Sequence, residues 1–150
     1  MKAHMPKLTP IRSVALVLRI TLAALMAAAL SGCGDVTSYY DNLNEARADR
    51  LFERGWLPDI LPASTHDLKV ATTMDIGAGR GRFRFDPEDY PVFTAQLSAH
   101  DGTMSIVDSD NYSIRRLLER DYEAYSFAGS RVKWAFLCDQ KEAICEFFIW

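Results

Sequence analysis

The sequence predicts an α+β domain, in which an N-terminal helix and short helices pack on an antiparallel sheet that ends in a C-terminal β-meander. The helix is predicted at residues 39–54, which are rich in Leu, Ala, Glu and Arg and carry an apolar stripe. The meander is predicted from three apolar or alternating runs, separated by short turns, at residues 122–128, 131–138 and 144–150. A helical region followed by a run of strands is typical of the α+β class.

Turn and cap residues divide the chain between these two regions. Gly55 is suited to end the first helix, and Pro58 and Pro62 keep the next segment extended. Asp86-Pro87 is a helix-start signal, with Asp as N-cap and Pro in the first turn. The remaining predicted elements are strands at residues 67–73 and 82–85, a glycine turn at residues 77–81, and helices at residues 86–97 and 113–119.

Length and charge exclude several classes of protein. The chain has 150 residues and a net charge of −3. Residues 1–32 hold four basic and no acidic side chains, so the remainder has 13 basic against 20 acidic residues, a net charge of −7. An acidic domain does not attract nucleic acid, and any anion site on it must be a local patch.

The first 32 residues have the order of a secretory signal. Basic residues come first, and an apolar segment at residues 14–30, interrupted at Arg19, follows. The segment ends in Leu30-Ser31-Gly32-Cys33, which resembles the lipobox of bacterial lipoproteins. The alternatives are ordinary secretion and an uncleaved membrane helix. The helix is disfavoured because Arg19 leaves about half of the roughly 20 apolar residues that a span needs.

The lipobox resemblance implies a cellular location and a lipid anchor. Cys33 would be acylated and become the first residue of the mature protein, which two or three acyl chains would hold on a membrane. Gly34, rather than aspartate, follows the cysteine, which by analogy implies the outer membrane with the domain facing the periplasm. We therefore expect a signal peptide at residues 1–32, a lipidated tether at residues 33–38 and one domain at residues 39–150.

Two further cysteines, Cys138 and Cys145, flank a predicted turn. In an oxidising compartment such a pair favours a disulfide across a hairpin. A metal pair or a redox site is the alternative, but a CxxC spacing and a neighbouring histidine are both missing. We predict no metal site and no cofactor.

Three arginines, Arg80, Arg82 and Arg84, alternate along a predicted strand and share one face. They are either a solvated strand face or an anion-binding stripe for a lipid phosphate, a glycan acid or an acidic protein. The glycines interleaved with them are expected to form a flexible turn, because the Lys-Ser/Thr that completes a phosphate-binding loop does not follow.

No catalytic residues are assigned from the sequence. His66-Asp67 and His100-Asp101 are His–Asp neighbours, but a nucleophile turn or a helical His spacing does not accompany them. A hydrolase that uses His66 or His100 is a minor hypothesis.

The segment at residues 56–62 is apolar and must be either buried or displayed. Burial is favoured, with Trp56, Leu57, Ile60 and Leu61 lying across the sheet as a lid. The alternative is an exposed patch made by the same four side chains, which a partner would cover.

Residues 46–90 resemble a group of uncharacterised proteobacterial lipoproteins. The resemblance lies in Gly55-Trp56-Leu57-Pro58, in Leu61-Pro62-Ala63-Ser64 and in the Phe-containing strand after them. It implies no activity and no site residues. We expect a non-enzymatic, membrane-anchored envelope lipoprotein that binds a protein or a cell-wall component. The alternative is an inhibitor or immunity-type lipoprotein that protects the envelope from a toxin or lytic enzyme.

Overall fold

A computed structural model describes residues 36–73, 78–100, 108–130 and 132–149. Its main feature is one antiparallel sheet of seven strands, in the spatial order β1-β2-β3-β7-β6-β5-β4. The strands are β1 (Val36–Asn42), β2 (His66–Thr73), β3 (Ala78–Arg84), β4 (Ser98–Ala99), β5 (Glu123–Ala128), β6 (Lys133–Asp139) and β7 (Ile144–Ile149).

The helices are few and short in the described part of the chain. They are α1 (Leu43–Ala48), a 3-10 turn (Pro87–Asp89) that leads into α2 (Tyr90–Thr94), and α3 (Asp108–Leu118). The predicted α+β class is therefore wrong, because the sheet dominates and the longest of these helices has 11 residues. The prediction took six apolar residues near the N-terminus for one helical stripe, whereas only Leu43, Ala46 and Ala48 lie in a helix and the others belong to β1 or to the loop after α1.

The N-terminal helix predicted at residues 39–54 is the largest single error. β1 runs from Val36 to Asn42, so it also includes part of the predicted tether. Asn42 then caps α1: its Oδ1 atom accepts hydrogen bonds from the N–H groups of Asn44, at 3.0 Å, and Glu45, at 3.2 Å. In return Glu45 Oε2 accepts the N–H of Asp41 at 2.9 Å. This capping box fixes the start of the helix at residue 43.

The helix predicted from Asp86-Pro87 is confirmed in position but is shorter than expected, since α2 ends at Thr94. Asp86 takes the extended N-cap conformation without a side-chain cap bond, and its own N–H donates to Ser64 Oγ at 3.0 Å. The helix predicted at residues 113–119 is also confirmed, and it begins five residues earlier, at Asp108.

The C-terminal meander is confirmed as β5, β6 and β7, which pair in sequence order. The disulfide is confirmed too: Cys138 pairs with Cys145 directly across β6 and β7, with a Cα–Cα distance of 4.1 Å. Both cysteines are fully buried. The hairpin turn is closed by Asp139, whose Oδ1 accepts the N–H of Lys141 at 2.9 Å.

The two faces of the sheet carry different amounts of covering chain. The first face is covered by α1, by the loop after it and by α2, and it packs an aromatic core around Phe83. The ring of Phe83 lies 5.8 Å from that of Phe93 and 6.2 Å from that of Phe136. In the described residues only α3 contributes a helix to the second face, where Ile114 and Leu117 join a smaller cluster.

Candidate functional site

Part of the second face is not covered by any described element. α3 packs over the end of the sheet that contains β6, and β1, β2 and β3 lie beyond it. We call the exposed part the open half-face and define it by the second-face positions Thr37, Tyr39, Lys69, Ala71, Arg80 and Arg82. Most of these positions, together with Ser113, Glu146 and Phe148, line a cavity of about 390 Å³. This volume lies within the usual range for small-ligand sites, at the low end.

The strand register aligns charged side chains in one row across the open half-face. Tyr39 of β1 lies opposite Lys69 of β2, and Lys69 lies opposite Arg82 of β3. Arg82 in turn lies opposite Glu146 of β7. Side chains directly opposite each other in antiparallel strands have Cβ atoms about 4.5–5.5 Å apart. The row therefore places two cations side by side.

Neither Lys69 nor Arg82 has an ion pair within 4 Å among the described residues. The Lys69 ammonium lies 5.6 Å from the centre of the Tyr39 ring, and Arg82 is exposed. Like charges directly opposite each other destabilise a sheet. An anion bound between them would remove this cost.

The other two arginines of the predicted stripe are tied to neighbouring elements. Arg80 Nη1 lies 3.4 Å from Oδ1 of Asp110, a nearly buried carboxylate on α3. Arg84 Nη1 lies 4.0 Å from Glu142 Oε2 in the β6–β7 turn. The structure thus brings Arg80 and Arg82 to the cavity, and it places Arg84 outside the cavity lining.

Sequence reasoning missed Lys69 as a member of this site. The signal was present in part, since Leu68 and Val70 are the buried neighbours of Lys69 and alternation puts Lys69 on the opposite face. What the sequence did not reveal is that β2 pairs with β3 in a register that sets Lys69 against Arg82.

The glycines between the arginines belong to β3, so the predicted turn is wrong for Gly79 and Gly81, and residue 77 lies outside the described residues. Both glycines face the aromatic core. A Cβ atom on Gly81 would collide with the ring of Phe147 and with a backbone carbonyl, and one on Gly79 would lie 3.3 Å from the ring of Trp56. The glycines let aromatic rings lie on the backbone, which excludes a phosphate-binding loop here.

The apolar segment at residues 56–62 is mostly part of the core. Leu57 and Leu61 are buried, whereas Trp56 and Ile60 are half-buried and pack against the same cluster. This is the lid arrangement, with two side chains at its surface. Trp56 also lines a second cavity, of about 380 Å³, on the first face beside β1.

The histidines are not brought together. His66 begins β2, and its Nδ1 lies 3.0 Å from the carbonyl oxygen of Ser64. His100 follows β4 at the other end of the sheet, five strands away, or about 24 Å at the usual strand spacing. The described residues contain no group of three or more side chains suited to hold a metal ion.

One cluster of titratable groups lies on the first face. The hydroxyls of Tyr90 and Tyr125 both donate to Glu123 Oε2. Burial is the main cause that raises the pKa of each tyrosine, and the neighbouring carboxylate raises it further. The two phenols therefore stay protonated near neutral pH and act as donors, and the Tyr90 hydrogen bond holds α2 to β5.

Cys33, the predicted lipidation site, lies outside the described residues. Within the described ranges, no helix is both long enough and apolar enough to cross a bilayer.

Comparison with known proteins finds a family only for the N-terminal part of the sheet. No curated protein matches the chain, and no solved structure matches it. Residues 35–84, about a third of the chain, match the family model of the YbbD head domain. The matched range contains β1, α1, β2 and β3, and hence Lys69, Arg80 and Arg82. Over this range the chain is similar to the YbbD head domain.

Proposed function

We propose that this chain is an envelope lipoprotein that is lipidated on Cys33 and whose folded domain binds, without catalysis, an anionic group of a protein or cell-wall component. The lipobox resemblance at Leu30-Ser31-Gly32-Cys33 supports the anchor. The residue after the cysteine, Gly34, supports the outer membrane facing the periplasm. The partners in this proposal are the membrane, through the lipid, and an envelope protein or glycan.

One observation carries the binding role. Lys69 and Arg82 are opposed across β2 and β3, no carboxylate lies within ion-pair distance of either among the described residues, and both line the same cavity. The placing of these two cations opposite each other does not stabilise the fold, since opposed like charges repel. A bound anion gains from it, because an anion placed between the two cations would interact with both at once.

The cavity has a mixed lining that suits an anionic group on a larger molecule. Ala71 and Phe148 supply apolar surface, and Thr37 and Ser113 supply hydroxyls that can donate hydrogen bonds. Glu146 offsets one of the two unpaired cations, so the row Lys69, Arg82 and Glu146 carries one net positive charge. A singly charged group, such as a carboxylate or a phosphodiester, fits that charge.

The binding role is tested by crosslinking in intact envelopes, followed by purification of the chain with its native anchor. We compare the wild type with a Lys69→Gln/Arg82→Gln double variant and with a matched control, Arg115→Gln/Arg116→Gln. The control removes the same charge from exposed positions of α3. Partners that are lost in the first variant and kept in the control support the proposal. An identical set of partners for all three chains contradicts it.

The anchor is tested separately. A Cys33→Ser variant should take up no labelled fatty acid and should accumulate as uncut precursor. A variant that is still processed and released would show ordinary secretion instead.

A further inference from the structure

The two edges of the sheet differ in length and protection. β4, at one edge, has two residues, whereas β1, at the other, has seven. Long, uncovered edge strands offer a row of unpaired N–H and C=O groups to another chain. In the part of the chain that the structure describes, no strand pairs with the outer edge of β1.

β1 lacks the usual protections of an edge strand. Its sequence, Val-Thr-Ser-Tyr-Tyr-Asp-Asn, contains no lysine and no proline, and its pairing with β2 shows no register shift. Val36 is 55% exposed and Tyr39 is 71% exposed, so the outer strand also presents apolar surface. These features are typical of a strand that accepts an additional strand.

The backbone groups that point outward can be assigned from one hydrogen bond. The N–H of Asp41 donates to Glu45 Oε2 and not to a carbonyl group of β2. Residues of an antiparallel strand alternate between facing one neighbour and facing the other. Tyr39 and Thr37 therefore direct their N–H and C=O groups to the open edge.

Cations lie on both sides of this edge. On the second face, the Lys69 ammonium lies over the ring of Tyr39, which directs it toward β1. On the first face, Arg50 and Arg54 line the second cavity together with Val36, and they outnumber its one acidic residue, Asp49. A strand that pairs with the first half of β1 would have positive charge above and below it.

We propose that an extended acidic segment of a partner protein adds to the outer edge of β1 as an eighth strand. Because side chains alternate along a strand, acidic residues on both faces of the segment would meet Lys69 on one side and Arg50 and Arg54 on the other. The main-chain hydrogen bonds to Thr37 and Tyr39 supply affinity, and the charges supply specificity. This inference rests on the proposed function in one respect, since it takes the envelope partner to be a protein.

The test uses the full chain in detergent micelles and a blocked hexapeptide, Glu-Val-Glu-Glu-Val-Glu, with 13C-labelled carbonyls. We expect the peptide to bind and its labelled amide I band to shift to the position of β-structure. The charge-reversed peptide, Lys-Val-Lys-Lys-Val-Lys, should not bind. An Arg54→Glu variant should bind the acidic peptide about tenfold or more weakly.

A matched pair of variants separates strand addition from charge attraction. Tyr39→Pro removes an outward N–H, whereas Tyr39→Thr keeps it and removes only the ring. Binding should be lost in the first and only weakened in the second, in which Lys69 loses its contact with the ring. If Tyr39→Pro does not fold, the same peptide with methylated alternate amides replaces it, because methylation removes the bonding N–H groups.

Three results would overturn the inference. The first is binding of the peptide without the shift of its amide I band, and the second is equal binding by both Tyr39 variants. The third is a dimer of the chain that the Tyr39→Pro substitution dissociates, because a second copy of the chain would then occupy the edge of β1. If the envelope crosslinks depend on Lys69 and Arg82 but the peptide does not add, strand addition fails and the proposed function stands. If no crosslinks depend on those two residues, the proposed function fails by itself.

Discussion

The second face of the sheet has two halves that differ in one respect, whether a helix covers them. Under α3, the second face of β6 and β7 carries an apolar cluster, in which Leu137 and Phe148 are buried with Ile114 and Leu117. On the open half-face the corresponding positions of β2 and β3 hold Lys69 and Arg82.

The difference separates residues that stabilise the fold from residues that do not. The covered half is explained by burial, which contributes about 25 cal/mol for each Å² of apolar surface removed from water. The opposed cations of the open half-face have no such explanation, and this contrast is the reason for assigning function to them.

The largest expected effect is a difference in stability between two variants. They change neighbouring residues of β3 whose side chains point to opposite faces of the sheet. Phe83→Ala should cost about 3–5 kcal/mol of unfolding free energy, because it removes a fully buried ring from the aromatic core. Arg82→Ala should not destabilise the fold, and it should change the unfolding free energy by at most about 1 kcal/mol. Urea denaturation of both variants measures the contrast, and similar losses for the two would contradict it.

The disulfide is the next largest effect. Replacing Cys138 and Cys145 together by alanine should cost about 2.5 kcal/mol, the entropy estimate for a loop of this size. Thermal melts of the oxidised wild type, the reduced wild type and the double variant provide the measurement. Reduction should have nearly the same effect as the substitution, and a melt unaffected by either would show that the closed β6–β7 hairpin does not depend on the bond.

The glycines of β3 give a smaller and more local effect. Gly81→Ala should cost about 1–3 kcal/mol, because the added methyl group collides with the ring of Phe147 and with backbone. Gly79→Ala is the matched control: its closest contact, at 3.0 Å, is the movable end of the Ile149 side chain. Equal losses at the two positions would contradict the close approach of the ring to Gly81.

Much of the fold could be predicted from local patterns, and the errors have physical causes. The meander and the disulfide follow from alternation and spacing, which are properties of neighbouring residues. The N-terminal helix was wrong because Tyr39 and Tyr40 pair with β2, a contact that no local pattern shows. The Asn42-x-x-Glu45 capping box was the local signal that could have placed the helix start correctly.

The candidate site was only partly predictable for a related reason. Alternation was enough to place Arg80 and Arg82 on one face. Joining them to Lys69 required the order and register of strands that are distant in sequence. The glycines were misinterpreted as a turn because a glycine beneath a ring and a glycine in a turn look the same in sequence.

The buried tyrosines predict how stability changes at alkaline pH. Burial raises the pKa of Tyr90, Tyr125, Tyr122 and Tyr40 in the fold. Their contribution to the free energy of unfolding is fully present below pH 10, which is about the pKa of tyrosine in the unfolded chain. It is lost as the pH rises above this value, because the unfolded chain then releases protons that the folded chain retains. Urea unfolding at pH 8, 10 and 11 should show falling stability. Tyr90→Phe should reduce the slope of stability against pH. An unchanged slope would show that Tyr90 does not contribute to this pH dependence.

The central claim, that the open half-face holds cations for a ligand and not for the fold, is tested most directly by a double-mutant cycle on Lys69 and Arg82. The single variants Lys69→Ala and Arg82→Ala and the double variant are unfolded in urea at low salt without any added ligand. If the pair is repulsive, each single variant gains about 0.2–1 kcal/mol in stability and the double variant gains less than the sum. Loss of stability in both single variants, with a favourable coupling between the two residues, would show that they stabilise the fold and would contradict the claim.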